Sequence, residues 1–252
     1  MERRCWLAFP LVSVPPLRWL DTTASTQDLL LEAARAGRDP QALATTDQQA
    51  GHGRRGREWA CPPGDGLALS VLLRPARADG WTWLPLLTGV GVLAALHRLG
   101  VGDPVLKWPN DVLVRGGKLA GLLADRVEGT GAPAVVLGMG LNLRPGALPP
   151  QAVALDALLP GRAPGPAAVA EALLEAVLVV LGAWERGEDA AVREAYRQRC
   201  ATLGRCVVVT LPGGDTVAGR AVDVDADGRL VVQGDDGRLV PLSAGDVVHL
   251  RA

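Results

Sequence analysis

The residues best suited to chemistry lie together between Gln48 and Trp59, where Gly51, Gly53 and Gly56 are interleaved with Arg54, Arg55 and Arg57 and no apolar side chain occurs from Gly51 to Glu58. Glycine lets backbone N–H groups approach a ligand, and a guanidinium fork matches carboxylates and phosphates, so the stretch reads as an anion cradle. Two better-known loops do not fit it. Gly51-x-Gly53-x-x-Gly56 has the spacing of a dinucleotide fingerprint, but polar Thr45-Thr46-Asp47 stands where an apolar strand is needed, and Pro62-Pro63-Gly64 stands where a helix is needed. Gly51 and Gly56 also begin like a P-loop, yet Arg57-Glu58 occupies the place of Lys and Ser/Thr.

A second group emerges from scarcity. Of 26 Lys and Arg residues only Lys107 and Lys118 are lysines, the asparagines are Asn110 and Asn142 alone, and isoleucine is absent. If arginine has replaced lysine wherever charge alone matters, the remaining lysines mark places that need a compact ammonium. Lys107, Asn110 and Lys118 fall within one short segment. A solvated strand-start lysine is the plain alternative for Lys118.

The elements that must position these residues follow from pattern. Arg18-Trp19-Leu20 ends a first strand, and Ser25 followed by Asp28 opens a helix that Gly37 stops. The helix start offers N–H groups to a polar ligand or serves capping alone. Ala42–Thr45 and Leu67–Arg74 read as strands that hold the glycine–arginine loop between them. Trp83–Leu99 is an apolar helix that covers the sheet, and His97 near its end is given no chemistry. Val105–Val114 and Lys118–Asp125 read as two strands joined by a Gly-Gly hairpin, with alternation placing Lys118 and Ala120 on one face and Leu119 and Gly121 on the other. Ala134–Leu143 is a strand whose Gly138 and Gly140 imply a close approach by another backbone or by a ligand, and Asn142 within it bonds either a ligand or a neighbouring loop. Connecting structure runs over 144–166. Val169–Trp184 and Asp189–Arg199 are helices with Glu171, Glu175, Glu185 and the arginines outward. From Cys206 onward short strands separated by Asp227-Gly228 and Asp236-Gly237 turns make a small barrel with nothing catalytic in it.

The chain has 252 residues, 48% of them hydrophobic and 21% charged, enough for one sizeable core and a small second module. A net charge of −1 offers no basic footprint for duplex DNA. Cys5, Cys61, Cys200 and Cys206 show neither disulfide nor zinc spacing, which suits a reducing cytosol. Glu2-Arg3-Arg4 before an apolar run imitates a signal peptide, but Pro10 interrupts it. The apolar stretch 81–96 contains Pro85 and is too short to span a bilayer, so no membrane segment is expected.

Ser25-Thr26, QQAGHGRRGREW at 48–59, KWPND at 107–111, KLAG at 118–121 and GMGLN at 138–142 together resemble the biotin protein ligase family, over nearly the whole chain from Arg18. The resemblance implies an α+β fold: a mixed, largely antiparallel sheet packed with helices, of the class II synthetase-like kind, at 18–202 after an N-terminal extension at 1–17. A C-terminal SH3-like barrel follows at 203–252. It implies an enzyme that activates biotin with ATP and Mg²⁺ to biotinyl-5′-AMP and passes biotin to one lysine of a biotin carboxyl carrier domain. Carried onto this chain, Ser25, Thr26 and Gln27 line the biotin ring pocket, and Gln48 bonds the ligand at its entrance. His52, Gly53 and Arg54 cover the carboxylate as a lid, and Lys118 contacts the carboxylate and adenylate bridge. Lys118 and Arg54 are the catalytic pair. Gly51, Arg55, Arg57, Trp59, Asn110 and Asn142 fall on the ATP side, with Trp59 and Asn142 either at the adenine or supporting the loop. Asp111 holds Mg²⁺, positions the acceptor lysine or is structural.

Two positions depart from the family pattern: His52 replaces an arginine, and Gln27 replaces an asparagine. Because histidine is only partly charged near neutrality, His52 implies a steeper pH dependence of activity than in a GRGR enzyme. Fewer than twenty-five residues precede Ser25, too few for the helix-turn-helix of family members that bind DNA, so a cytoplasmic ligase without DNA or membrane contacts is expected. The family often forms homodimers. The rival readings are a lipoate or octanoate ligase of the sister family, a biotin-binding sensor that has lost turnover, and an adaptor working through the barrel.

Overall fold

The computed structural model describes residues 15–39, 41–59, 61–128, 132–146 and 148–250, so Cys5 and the signal-like N-terminal run lie outside the described residues. The larger sheet contains β1 (Leu17–Trp19), β2 (Gln41–Thr45), β3 (Gly66–Leu73), β4 (Val105–Lys107), β5 (Asp111–Val114), β6 (Gly117–Val127) and β7 (Ala134–Asn142). Their order across the sheet is β1-β2-β3-β7-β6-β5-β4; β1 runs parallel to β2 and every other neighbouring pair is antiparallel.

Alternation along the strands gives this sheet two buried faces. On one lies α1 (Thr26–Arg35), where Leu30 and Ala34 pack on Leu43, Leu72 and Val136. Ser25 caps the helix, its hydroxyl oxygen accepting from the Asp28 amide at 3.1 Å, and Gly37 at φ 70° follows its end. On the other face lie α2 (Leu84–Arg98), α4 (Pro166–Glu185) and α5 (Asp189–Arg199), after a short α3 (Leu155–Leu158) within the stretch expected to be irregular. At 20 residues α4 is apolar enough and long enough to cross a membrane. Its Val169, Leu173, Val177, Leu181 and Trp184 are instead buried in the core against α2, and Gly91 of α2 leaves room for the Val177 backbone.

The expected strand 105–114 is broken in two. Trp108-Pro109-Asn110 makes a turn, because proline lacks the ladder N–H and Asn110 bonds sideways: its Nδ2 donates to the Leu122 carbonyl at 2.9 Å and its own carbonyl accepts from the Leu122 amide at 2.8 Å. The hairpin turn is Arg115-Gly116, both at positive φ (51° and 81°), one residue earlier than expected.

The C-terminal module is an antiparallel sheet of β8 (Cys206–Thr210), β9 (Thr216–Val224), β10 (Leu230–Gln233), β11 (Leu239–Leu242) and β12 (Asp246–His249), in the order β11-β10-β9-β8-β12. Two buried tryptophans tie it to the larger domain: Trp83 Nε1 donates to the Ala226 carbonyl and Trp108 Nε1 to that of Gly228. Arg193 and Arg197 do not point outward as expected. Their guanidinium groups lie over the Trp83 ring, and Arg197 also bonds Asp223 and the Val224 carbonyl.

Candidate functional site

The sheet face carrying α1 continues past the helix N-terminus, and there its side chains become small. Ala68 and Ser70 of β3, Gly138 and Gly140 of β7 and Gly121 of β6 pair across the strands and share this face. The result is a cavity of about 360 Å³, closed on its sides by the α1 start, the loop after β2 and the Trp108–Asp111 turn. That volume suits a small organic ligand.

Lys118 reaches this cavity for a reason that simple alternation misses. Leu113 pairs with Lys118 but Val112 pairs with Ala120, so β6 carries one extra residue, a bulge at Leu119. The bulge shifts the alternation, and Lys118 shares its face with Gly121 rather than with Ala120: a Cβ at Gly121 would sit 3.4 Å from Lys118 Nζ. The expected pairing of Lys118 with Ala120 is thus corrected, while the projection of the lysine over the sheet holds. Its ammonium stands 2.5 Å from Asp111 Oδ1, and Lys107 also lines the cavity.

The glycine–arginine loop folds as a tight hairpin over the same face. His52 pairs with Glu58, the Gly53 amide donates to the Arg57 carbonyl at 2.7 Å and the Trp59 amide to that of Gly51 at 2.9 Å. Arg54–Gly56 forms the tip, with Arg55 and Gly56 at positive φ (58° and 67°). Gly51 is packed so closely that a Cβ would collide with Gln48 and the Trp59 carbonyl. Trp59 lies on the floor: a Cβ at Gly140 would come within 2.8 Å of its indole, and one at Gly138 within 2.7 Å of Gln27 Oε1. Side chains, rather than a backbone, make the close approach that those glycines imply.

Arg54 lines the cavity and, among the described residues, has no carboxylate at ion-pair distance. Burial, then the neighbouring charge of Arg55, holds its pKa below the ordinary arginine value. An arginine in that state is a receptor for an incoming anion. Arg55 and Arg57 instead share Asp246 of β12, with N···O distances of 3.2 and 2.5 Å, and His52 Nε2 stands 3.8 Å from Asp28.

At the α1 end Ser25, Thr26 and Gln27 are almost fully buried. Gln48 Oε1 accepts from the Thr26 amide at 2.9 Å, and Gln27 Nε2 donates to Asp125 at 2.8 Å.

The structure therefore gathers Ser25, Thr26, Gln27, Gln48, His52 and Gly53 around one cavity with Arg54, Arg57, Trp59, Asn110, Asp111 and Lys118. Gly51, Arg55 and Asn142 stand outside its lining. Asn142 Nδ2 donates to the Lys118 and Val153 carbonyls, both at 3.1 Å, and so pins the segment after β7 to the Lys118 backbone. Among the described residues no group of three or more metal-ligating side chains occurs. Sequence reasoning missed Ser70, a polar residue alone in the apolar strand GLALSVLL, and Asp246, whose partners lie 189 and 191 residues away and for which no local signal exists. The barrel, expected to be inert, thus brings Gly245 and Asp246 to the cavity rim.

Residues 19–142 match the Biotin/lipoate A/B protein ligase family and residues 202–250 the Biotin protein ligase C terminal domain. The chain is 42% identical over 246 residues to a biotin–[acetyl-CoA-carboxylase] ligase of Mycobacterium tuberculosis, covering 93% of this chain and 90% of the relative. It is 34% identical to the enzyme of that name from Paracoccus denitrificans, over 77% of this chain and 84% of the relative. The solved biotin protein ligase from Aquifex aeolicus in complex with biotin and ATP is similar with a TM-score of 0.77 and 25% identity, covering 94% of this chain and 99% of that one.

Proposed function

The chain belongs to the biotin/lipoate A/B protein ligase family and is a ligase that uses ATP to attach biotin to an acceptor protein, and from that premise we propose how its cavity carries out the reaction. The biotin ring system enters beside Ser25, Thr26 and Gln48, with its carboxylate toward Arg54 and Lys118. A carboxylate oxygen attacks the α-phosphorus of ATP, forming the mixed anhydride biotinyl-5′-AMP as the bond to the β-phosphate breaks and pyrophosphate leaves. Two anions must meet in this step, and Arg54 and Lys118 supply fixed positive charge where negative charge accumulates. An acceptor lysine amine of a biotin carboxyl carrier domain then attacks the acyl carbon, and AMP leaves.

Arg57, Trp59 and Asn110 border the nucleotide side of this cavity. Asp111, a carboxylate of the cavity lining that stands 2.5 Å from the Lys118 ammonium, is the residue that would hold the Mg²⁺ that accompanies ATP. Bound there, the ion would supply Lewis-acid neutralisation of the phosphates. The three described cysteines, Cys61, Cys200 and Cys206, are unpaired, which supports a reducing cytoplasm as the setting.

The single observation that carries the reading is the bulge that turns Lys118 into the cavity that Arg54 also lines. Biotin-dependent ATP/pyrophosphate exchange tests it, with lipoate as competing acid. Lys118→Ala is expected to lower the biotin signal by roughly a hundredfold or more, the scale of removing one charge-stabilising donor. Exchange with lipoate alone would move the activity to the sister chemistry, and an unaffected mutant would remove Lys118 from it.

A further inference from the structure

In the wall of the cavity, Thr26, Ser70 and Gln27 form a buried hydrogen-bonded chain whose proton order follows from the partners of Gln27. The Gln27 amide has Asp125 at 2.8 Å and the Val136 carbonyl at 3.1 Å on its Nε2 side. A carbonyl can only accept, so Nε2 must face Val136 and Oε1 must face Ser70. Oε1 also only accepts, and the 3.0 Å contact therefore requires Ser70 to donate. With its single proton committed, Ser70 can meet Thr26 Oγ1 at 2.9 Å only as an acceptor, and Thr26 donates. The competing arrangement sends the Thr26 proton to Gln48 Oε1 at 3.2 Å and leaves two hydroxyl oxygens 2.9 Å apart with no proton between them.

We infer that Ser70 is a positioning residue that fixes the hydrogen-bond polarity of Thr26, so that this hydroxyl presents only lone pairs to the cavity and selects a ligand with an N–H group there. This deepens the biotin reading and rests on it: biotin is a cyclic urea, whose N–H groups need acceptors and whose carbonyl needs donors. The donors are at hand. The Ser25 hydroxyl oxygen accepts from Asp28 and keeps its own proton unengaged among the described residues, as does Gln48 Nε2. Ser70, Thr26 and Gln27 are each no more than 5% exposed, so water does not compete to reorient the chain.

The test compares biotin with its isosteric cyclic carbamate, in which oxygen replaces one ureido N–H, each regioisomer being titrated calorimetrically into wild type, Ser70→Ala and Gln27→Met. The wild type should reject one regioisomer by about a hundredfold relative to biotin, since lone pairs would then face lone pairs. In Ser70→Ala the Thr26 proton can turn toward the ligand as well as toward Gln48 Oε1, and the ratio should narrow by up to about tenfold, the worth of one hydrogen bond. Gln27→Met keeps the serine but removes the acceptor that sets its direction, and should narrow the ratio likewise. Equal weakening of biotin and carbamate in both variants would reduce Ser70 to a packing residue and overturn the inference. A wild type that binds no biotin would overturn the reading of the cavity itself, and the inference with it.

Discussion

At the scale of the residue, His52 stands where the resemblance leads one to expect an arginine, at the cavity edge and 3.8 Å from Asp28. An arginine there would keep its charge across the whole physiological range, whereas histidine is the side-chain type whose charge can change near neutrality. His52→Arg is therefore expected to flatten the pH profile of biotin-dependent exchange. Superimposable profiles for the two proteins would show that His52 acts without its charge. Lys118 illustrates the complementary case: its rarity pointed to it, but only the extra residue at Leu119 turns its ammonium toward the ligand face.

At the scale of the element, the glycine–arginine hairpin is held by its own backbone bonds and, from the C-terminal module, by Asp246 against Arg55 and Arg57. These ion pairs are largely solvent-exposed, so each contributes on the order of 0.2–1 kcal/mol and less in high salt. Asp246→Ala should speed amide hydrogen exchange across 51–59 in the ligand-free protein by about two- to fivefold, with the difference shrinking as salt rises. Unchanged protection at low salt would mean the hairpin stands without the barrel.

At the scale of the whole molecule, the two modules meet through Trp83, Trp108, Thr202 and His249. Thr202 Oγ1 lies 3.1 Å from both the Trp108 amide and His249 Nε2. Burial, then the charges of Lys107 and Arg205, hold the His249 pKa below the ordinary histidine value. The unfolded chain therefore binds this proton more readily than the folded one. Stability linked to His249 is complete above about pH 6.5, the unfolded value, and is lost as pH falls from there through the lowered folded value. His249→Asn should remove part of the fall in thermal midpoint between pH 7 and 5; an acid limb as steep as in the wild type would place the sensitivity elsewhere.

The amino-acid sequence by itself determined what depends on neighbours in the chain. The Ser25 cap, the Asp227-Gly228 and Asp236-Gly237 turns, most of the helices and strands, and the anion-binding loop are written in local spacing and in residue types with restricted backbone or charge properties. Nearly every candidate site residue was legible for the same reason, since each lies in a short motif. Tertiary structure alone decided which side of the sheet Lys118 occupies, because a bulge is a mismatch between two strands and has no signature in either. It also decided that Arg55 and Arg57 share a barrel carboxylate and that Asn142 supports rather than lines the cavity. The proton order through Ser70 required four side chains, two from α1, one from β3 and one from β6, at hydrogen-bonding distance. Hydrogen bonds and ion pairs select partners by distance in space, and separation along the chain carries no record of that choice.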